Sequence, residues 1–473
     1  MISLANLDIS IILLFFGILF FIGFYFSKKK SNEPVDYLLG GRNLGLFLFI
    51  LTNVSTWYGG VLGIAEFTYN YGIASWFTQG LPYYLFAFLF ALLFAKKIRA
   101  ASLFTIPEKL KETYGEKVGM LSALVVFILV SPAPYLLMLA NIFTMLFKTN
   151  LFTGLVIALF LILPYMLKGG YRADIYTDAF QFFVMFGGFI LFFYFCWNSI
   201  GNFNFLTNNL PAAHLQLTGG ASPIFILVWF LIALWTFADP GFHQRCNAAK
   251  SGEVAVKGIL ISIAFWALFD FLTTATGLYA RAVFPNLKNP SLSYFLLADK
   301  ILAPGVKGIF YAGVFATILS TFNSLMFLSA TTFGNDFISY FFQNKSNRII
   351  NFTKLGLVVT GIFSILLAYF IPSVVQLWYT IGSIAIPGII FLVIGSYYHS
   401  FKIGKEFAIA EILFASGASL LWFFTKKFIA AGSIWFQIEP MIVGLTTAFI
   451  IHLTGMFNMK KRFPERSKKD KKL

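Results

Sequence analysis

The chain has 473 residues, of which 59% are hydrophobic and only 11% charged, with a mean hydropathy of +0.80. Soluble domains carry about 25% charged residues, so this much apolar surface has no interior to hide in and its solvent is lipid. The formal charge of +16 argues for Lys and Arg gathered on one membrane side, not for a nucleic-acid partner.

A spanning helix needs about 20 mostly apolar residues. By that measure thirteen are predicted, at roughly 8–26, 44–67, 73–95, 119–147, 151–168, 175–197, 222–238, 255–283, 306–335, 352–371, 374–397, 406–425 and 436–456. The first run lacks a basic leader and a small-residue cleavage site, so it reads as a retained helix. The pattern describes one polytopic domain, 1–456, and a short basic tail, 457–473. With the N-terminus outside and the tail cytoplasmic, 28 of the 35 basic residues fall on the cytoplasmic side. They run from Lys28-Lys29-Lys30 through Arg245 and Lys250 to the tail. One missed helix would flip every later loop and spoil this asymmetry.

Between the spans, Thr105–Glu116 opens with Thr and Pro and carries alternating charge, which predicts a short cytoplasmic surface helix. Residues 198–223 lack Lys, Arg, Asp and Glu and are expected to form an external loop. Cys196 and Cys246 are too few for a disulfide framework and read as inert thiols. The four His residues show no metal-ligand spacing. No Ser-His-Asp set, phosphate loop or CxxC pair is present, so the chain does not read as an enzyme.

Backbone polar groups in lipid must be satisfied internally, and broken helix is tolerated where it lines a cavity. Two spans look breakable. One holds Leu51-Thr52-Asn53-Val54-Ser55-Thr56-Trp57-Tyr58-Gly59-Gly60. The other ends Leu234-Trp235-Thr236-Phe237-Ala238-Asp239-Pro240-Gly241. They are the second and seventh of thirteen, which suits two five-helix repeats, about 44–197 and 222–397, with one extra helix before and two after. Close helix packing is the ordinary alternative for the glycines. Further on, Thr317, Ser320, Thr321 and Ser324 share one helical face. Four oxygens so placed suit a small hard cation, or bond back to their own helix. Asn323 points about 120° away. Asp270 lies at mid-membrane depth with no basic neighbour in sequence, which marks it as a functional candidate.

These residues resemble the sodium:solute symporter family, which includes sodium-coupled sugar, proline, pantothenate and sialic acid carriers. Asp36–Arg42 looks like the loop after the family's first helix. Gly169–Gln181 is similar to its GG…WTD..Q element, with Tyr176 in place of Trp. Gln244-Arg245 with Ala248-Ala249-Lys250-Ser251 looks like its QR..AAKS signature. Phe315–Asp336 resembles the helix that donates sodium-binding hydroxyls. The four stretches lie in order within about residues 35–400.

The resemblance implies a LeuT-like five-plus-five inverted repeat working by alternating access. It also implies a sodium site with carbonyls of Asn53, Thr56 and Thr317 and hydroxyls of Ser320 and Thr321. Some members hold a second sodium, for which Asp178 and Ser324 fit, although Asn323 stands where such members place a hydroxyl. Ser55, Trp57, Gln79, Trp235 and Asp270 fall at solute-binding positions. Gly59 and Gly60 replace polar side chains that sugar carriers use, which disfavours sugar. An acidic Asp270 favours a zwitterion or a cation. The expected function is sodium-coupled import of a small organic solute across a bacterial inner membrane, with no obligatory protein partner. Proton coupling through Asp178 or Asp270, or solute sensing without transport, are the alternatives.

Overall fold

The computed structural model describes residues 4–27, 34–342, 349–430 and 433–462. Among these the chain is helical and has no strand; one parallel bridge joins Leu44 to Ala249. In chain order the main helices are α1 (Asn6–Ser27), α2 (Leu46–Tyr71), α3 (Ala74–Ala101), α4 (Glu116–Phe147), α5 (Leu151–Leu161), α6 (Gly170–Ile200) and α7 (Pro223–Ala248). There follow α8 (Gly252–Val283), α9 (Val306–Phe341), α10 (Ile349–Phe370), α11 (Val374–Tyr397), α12 (Lys405–Phe428) and α13 (Pro440–Lys461).

Among the described residues twelve helices are long and apolar enough to cross a membrane, and α5 is a shorter apolar helix. The remaining predicted span, 151–168, falls in the first part of a longer helical run. Residues 151–200 form one helical run kinked at Gly170, whose φ of 58° and ψ of −167° are not helical. Glycine reaches this positive φ without the steric cost of a Cβ. Leu13, Phe21, Phe160, Phe370, Leu421 and Phe457 stand largely exposed on the outside of the bundle, as a lipid-facing surface requires. Most of the basic tail, 463–473, lies outside the described residues.

Helix α9 is the axis of the bundle. In its most apolar stretch 94% of residues are buried, and it packs against α1, α6, α10 and the break of α2. Where Gly188 of α6 meets Gly313 of α9, a Cβ on Gly313 would stand 3.1 Å from the facing Cα. Helices α12 and α13 pack against each other and against α11, apart from that axis. Helix α1 does more than add a span. Its Asp8 is fully buried, and Oδ1 accepts from the amides of Gly305 (2.7 Å) and Gly308 (2.8 Å) at the start of α9.

Both predicted interruptions are present. In α2 the α-helical halves Leu46–Trp57 and Val61–Tyr71 meet at a tighter 3-10 turn, Tyr58–Gly60. In α7 the α-helix ends at Ile232, a 3-10 segment runs Ala233–Ala238, and Asp239 is extended. A new helix, Pro240–Ala248, then starts with Pro at its first position and Asp239 as its cap, a combination that satisfies the free amides of a helix start. A third break was not expected. Helix α4 is divided at Val130–Pro132 into Glu116–Leu129 and Ala133–Phe147.

The surface helix runs Ile106–Tyr114. Thr105 Oγ1 accepts from Glu108 N at 3.2 Å while Glu108 Oε2 accepts from Phe104 N at 2.7 Å, a reciprocal cap. The expected external loop holds a short helix, Phe203–Asn209, and a 3-10 turn, Ala212–Leu215. Both thiols are buried and unpaired.

Candidate ion and solute site

Asp174 and Asp178 lie one turn apart on α6, so both carboxylates face the same way. Both are buried, at 4% and 0% exposure. Around them converge hydroxyls from α2 and α9. Thr52 Oγ1 donates to Asp178 Oδ2, as does Thr56 Oγ1 at 3.0 Å. Ser320 Oγ donates to Asp178 Oδ1 at 2.5 Å, and Ser324 Oγ to Asp174 Oδ2 at 2.6 Å. Thr321 Oγ1 donates to the carbonyl of Thr56 at 2.5 Å, directly across the α2–α9 contact.

That contact depends on Gly59. A Cβ there would lie 2.2 Å from Thr321 Cβ, and one on Gly60 would lie 2.3 Å from the Trp378 ring. Both close approaches put the break of α2 against its neighbours, which is the packing role glycine serves in membrane helices.

Of the expected sodium ligands, Thr56, Ser320 and Thr321 are brought together. Asn53 is buried nearby and faces the adjoining cavity. Thr317 donates its hydroxyl to Gly313 O at 2.6 Å within α9, the back-bonding onto its own helix that the periodicity left open. Asp178 and Ser324, the expected second-sodium pair, both belong to the cluster. Oxygen-rich, partly charged and largely buried, the cluster offers the hard oxygen donors that a small cation takes.

Beside it is a cavity of about 1040 Å³, counting its open mouth. Trp57, Gln79, Trp235 and Asp270 line it, and so do Thr56, Thr321 and Arg245. Its walls are aromatic. Trp57 packs edge-on against Tyr83 and Phe242, at 5.2 and 5.3 Å between centroids. Tyr84 donates its hydroxyl to Asp270 Oδ2. Ser55 does not line the cavity. Its hydroxyl bonds Leu51 O (2.6 Å) and Asp178 O (2.9 Å), which turns it toward α6.

Arg245 overturns a sequence expectation. It was counted among cytoplasmic turn charges, yet it is 1% exposed in the middle of the bundle. Its Nη2 stands 3.5 Å from Asp178 Oδ2 and donates to Thr56 Oγ1 at 2.5 Å. Counting apolar residues ended α7 at Ala238, because Pro-Gly-Phe-His-Gln-Arg reads as polar. The helix continues for nine residues past the break, and all nine are buried. Asp239, also unassigned from sequence, accepts from Trp235 Nε1 (2.7 Å) and Phe242 N (2.8 Å) and lines the cavity. An acid just before Pro-Gly was the available signal.

The four family-like stretches meet in space. Gln244 Nε2 donates to Leu38 O at 3.2 Å. The ring of Tyr37 lies where a Cβ on Gly170 would stand 2.7 Å away, and 5.6 Å from the ring of Phe327.

Fold and site together define a polytopic, all-helical membrane protein with a buried cluster of carboxylates and hydroxyls beside an aromatic cavity. The chain belongs to the sodium:solute symporter family, whose model matches residues 37–403. It is therefore a membrane transporter that couples sodium to the movement of a small solute. Sodium/proline symporters of Staphylococcus aureus strains JH9 and NCTC 8325 are each 25% identical over 385 residues, covering 76% of this chain and 74% of the relative. A sodium-coupled sialic acid symporter, solved substrate-bound and outward-open, superposes with a TM-score of 0.78 at 17% identity, covering 96% of this chain and 98% of that one. A nucleobase-cation-symport-1 family transporter, closed with bromovinylhydantoin bound, gives 0.58 at 14% identity, covering 93% and 97%.

Proposed function

We propose that this carrier imports an amino-acid-like zwitterion with sodium by alternating access. One observation supports this reading above the others: Thr56 and Thr321 belong to the ion cluster and also wall the cavity. Sodium at Thr56, Ser320 and Thr321 would brace the break of α2 against α9 and so shape the solute pocket. Each ligand then raises the other's affinity by the same factor. Two carboxylates, Asp239 and Asp270, face the cavity and suit the ammonium end of a zwitterion. The aromatic walls suit its apolar body. The 25% identical relatives described as sodium/proline symporters favour the same solute class.

The two halves, about 44–197 and 222–397, would rock about this site. The charge asymmetry supports an N-terminus outside and a C-terminus in the cytoplasm, and the bacterial relatives favour a bacterial inner membrane. The test is uptake of labelled proline into proteoliposomes at fixed pH, with a panel of unlabelled amino acids, sugars and carboxylates as competitors. Sodium-driven uptake blocked by amino acids supports the reading. Undiminished uptake with choline in place of sodium overturns it in favour of proton coupling.

A further inference from the structure

The ion and solute site leaves one buried titratable pair unexplained. Glu411 of α12 is fully buried, and His452 of α13 is 4% exposed. His452 Nδ1 lies 2.8 Å from Glu411 Oε2. Its Nε2 lies 2.8 Å from the carbonyl of Phe401, which ends the 3-10 turn His399–Phe401 between α11 and α12. The packing around the imidazole is close. A Cβ on Gly455 of α13 would stand 3.0 Å from Phe407 Cβ, and one on Gly395 of α11 would stand 2.8 Å from the Phe401 oxygen. The ring of Phe391, also on α11, lies 5.5 Å from the imidazole.

These partners fix the proton count. A carbonyl only accepts, so Nε2 carries a proton. Nδ1 and Oε2 then need one further proton between them, as imidazolium with carboxylate or as imidazole with carboxylic acid. Either form is neutral overall. Without that proton, lone pairs would face each other and a bare carboxylate would be buried, which is costly. A second proton would leave an O–H on Glu411 Oε1, which is buried with no partner among the described residues. The closed pair therefore holds one proton.

Once the pair opens to water, ordinary affinities return, about 4.3 for the carboxyl and about 6.5 for the imidazole. Above about pH 6.5 the open pair holds no proton while the closed pair still holds one. The closed form binds more protons, so it loses ground as pH rises, by about tenfold per unit. Among the described residues no charge other than His452 acts on Glu411. Tyr114, on the surface helix, is the further titratable group beside it, and its hydroxyl donates to Leu392 O at 3.2 Å. A tyrosine stays neutral until about pH 10, so it adds no charge in this range.

We propose that Glu411, His452 and the Phe401 carbonyl form a proton-held clasp, which fixes α12 and α13 to the end of α11 and slackens as pH rises. Helix α11 carries Trp378 into the wall of the cavity and packs against the 3-10 segment of α7. The clasp thus puts a pH-sensitive joint on a helix of the solute site, whichever solute and coupling ion the carrier takes.

Hydrogen–deuterium exchange of the full chain in nanodiscs tests this at the amides of Phe401 and Lys402, which bond within the turn to Tyr398 O and His399 O. From about pH 7 to about pH 9, wild-type protection, corrected for intrinsic exchange, should fall about tenfold per unit. In Glu411→Gln the side-chain amide donates to Nδ1 in place of the shared proton, so protection should stay level over the same range. Level protection in the wild type would overturn the proposal however the variant folds. A folded Glu411→Gln protein whose protection falls as steeply as the wild type's would overturn it too.

Discussion

At the scale of single residues, the contact between Gly59 and Thr321 is the tightest constraint on the site. A methyl group at Gly59 has nowhere to go, and overpacking of this kind costs about 1–3 kcal/mol. Gly59→Ala should lower thermal stability and, by prising α9 from α2, raise the sodium concentration for half-maximal uptake. Unchanged sodium dependence would mean that the α2–α9 contact does not shape the site. His214, in the segment between α6 and α7, offers a pH-dependent counterpart. Its Nε2 lies 2.9 Å from Tyr69 O, and its own carbonyl accepts from Ile73 N. Burial lowers its pKa below the ordinary 6.5; Arg281 adds to the lowering and the Tyr69 carbonyl opposes it. A lowered base favours the neutral ring in the folded state. Its stabilisation is therefore complete above about pH 6.5 and lost as pH falls below it. Protection of the Ile73 amide, corrected for intrinsic exchange, should drop on acidification in the wild type. In His214→Gln it should be flat with pH.

At the scale of elements, legibility followed the physics of each signal. The stripe Thr317, Ser320, Thr321 and Ser324 and the interruptions near Gly59-Gly60 and Pro240-Gly241 were readable because helical periodicity and helix-breaking residues act locally. The break at Val130–Pro132 was hidden inside a long apolar run, where hydropathy cannot register one proline. Arg245 was misplaced for the converse reason. A polar helix can continue through the bundle when its partners lie on other helices, and Asp178, Thr52 and Ser324 are distant in sequence. Asp8 was likewise silent, since its partners are amides of α9 almost 300 residues away. It caps the start of the helix that carries Ser320 and Thr321. Asp8→Ala should cost about 0.5–2 kcal/mol, the range for a lost helix cap, seen as a lower melting temperature. Asp8→Asn should recover part of the loss, because an amide oxygen still accepts. Equal melting of both variants and the wild type would show that α1 does not hold α9.

At the scale of the molecule, the four family-like stretches are far apart along the chain. In three dimensions the first stretch joins the other three, Tyr37 meeting Gly170 and Phe327 and Leu38 accepting from Gln244. The bundle divides its work accordingly. Helices α2, α6, α7 and α9 meet at the carboxylate–hydroxyl cluster, and α8 brings Asp270 to the cavity. Helix α1 braces α9, while α12 and α13 pack on α11 away from the site. A ligand that binds only the native fold raises apparent stability by an amount set by its concentration and affinity, so sodium itself reports on its site even without a solute. The most direct measurement is thermal unfolding of the full chain across a sodium titration at constant ionic strength with choline. It compares the wild type with Ser320→Ala/Thr321→Ala. The wild type should gain stability with sodium, and the double variant should need at least about tenfold more sodium for the same gain, the equivalent of about 1.4 kcal/mol of lost binding. Superimposable titrations from a folded double variant would contradict a sodium site between α2 and α9.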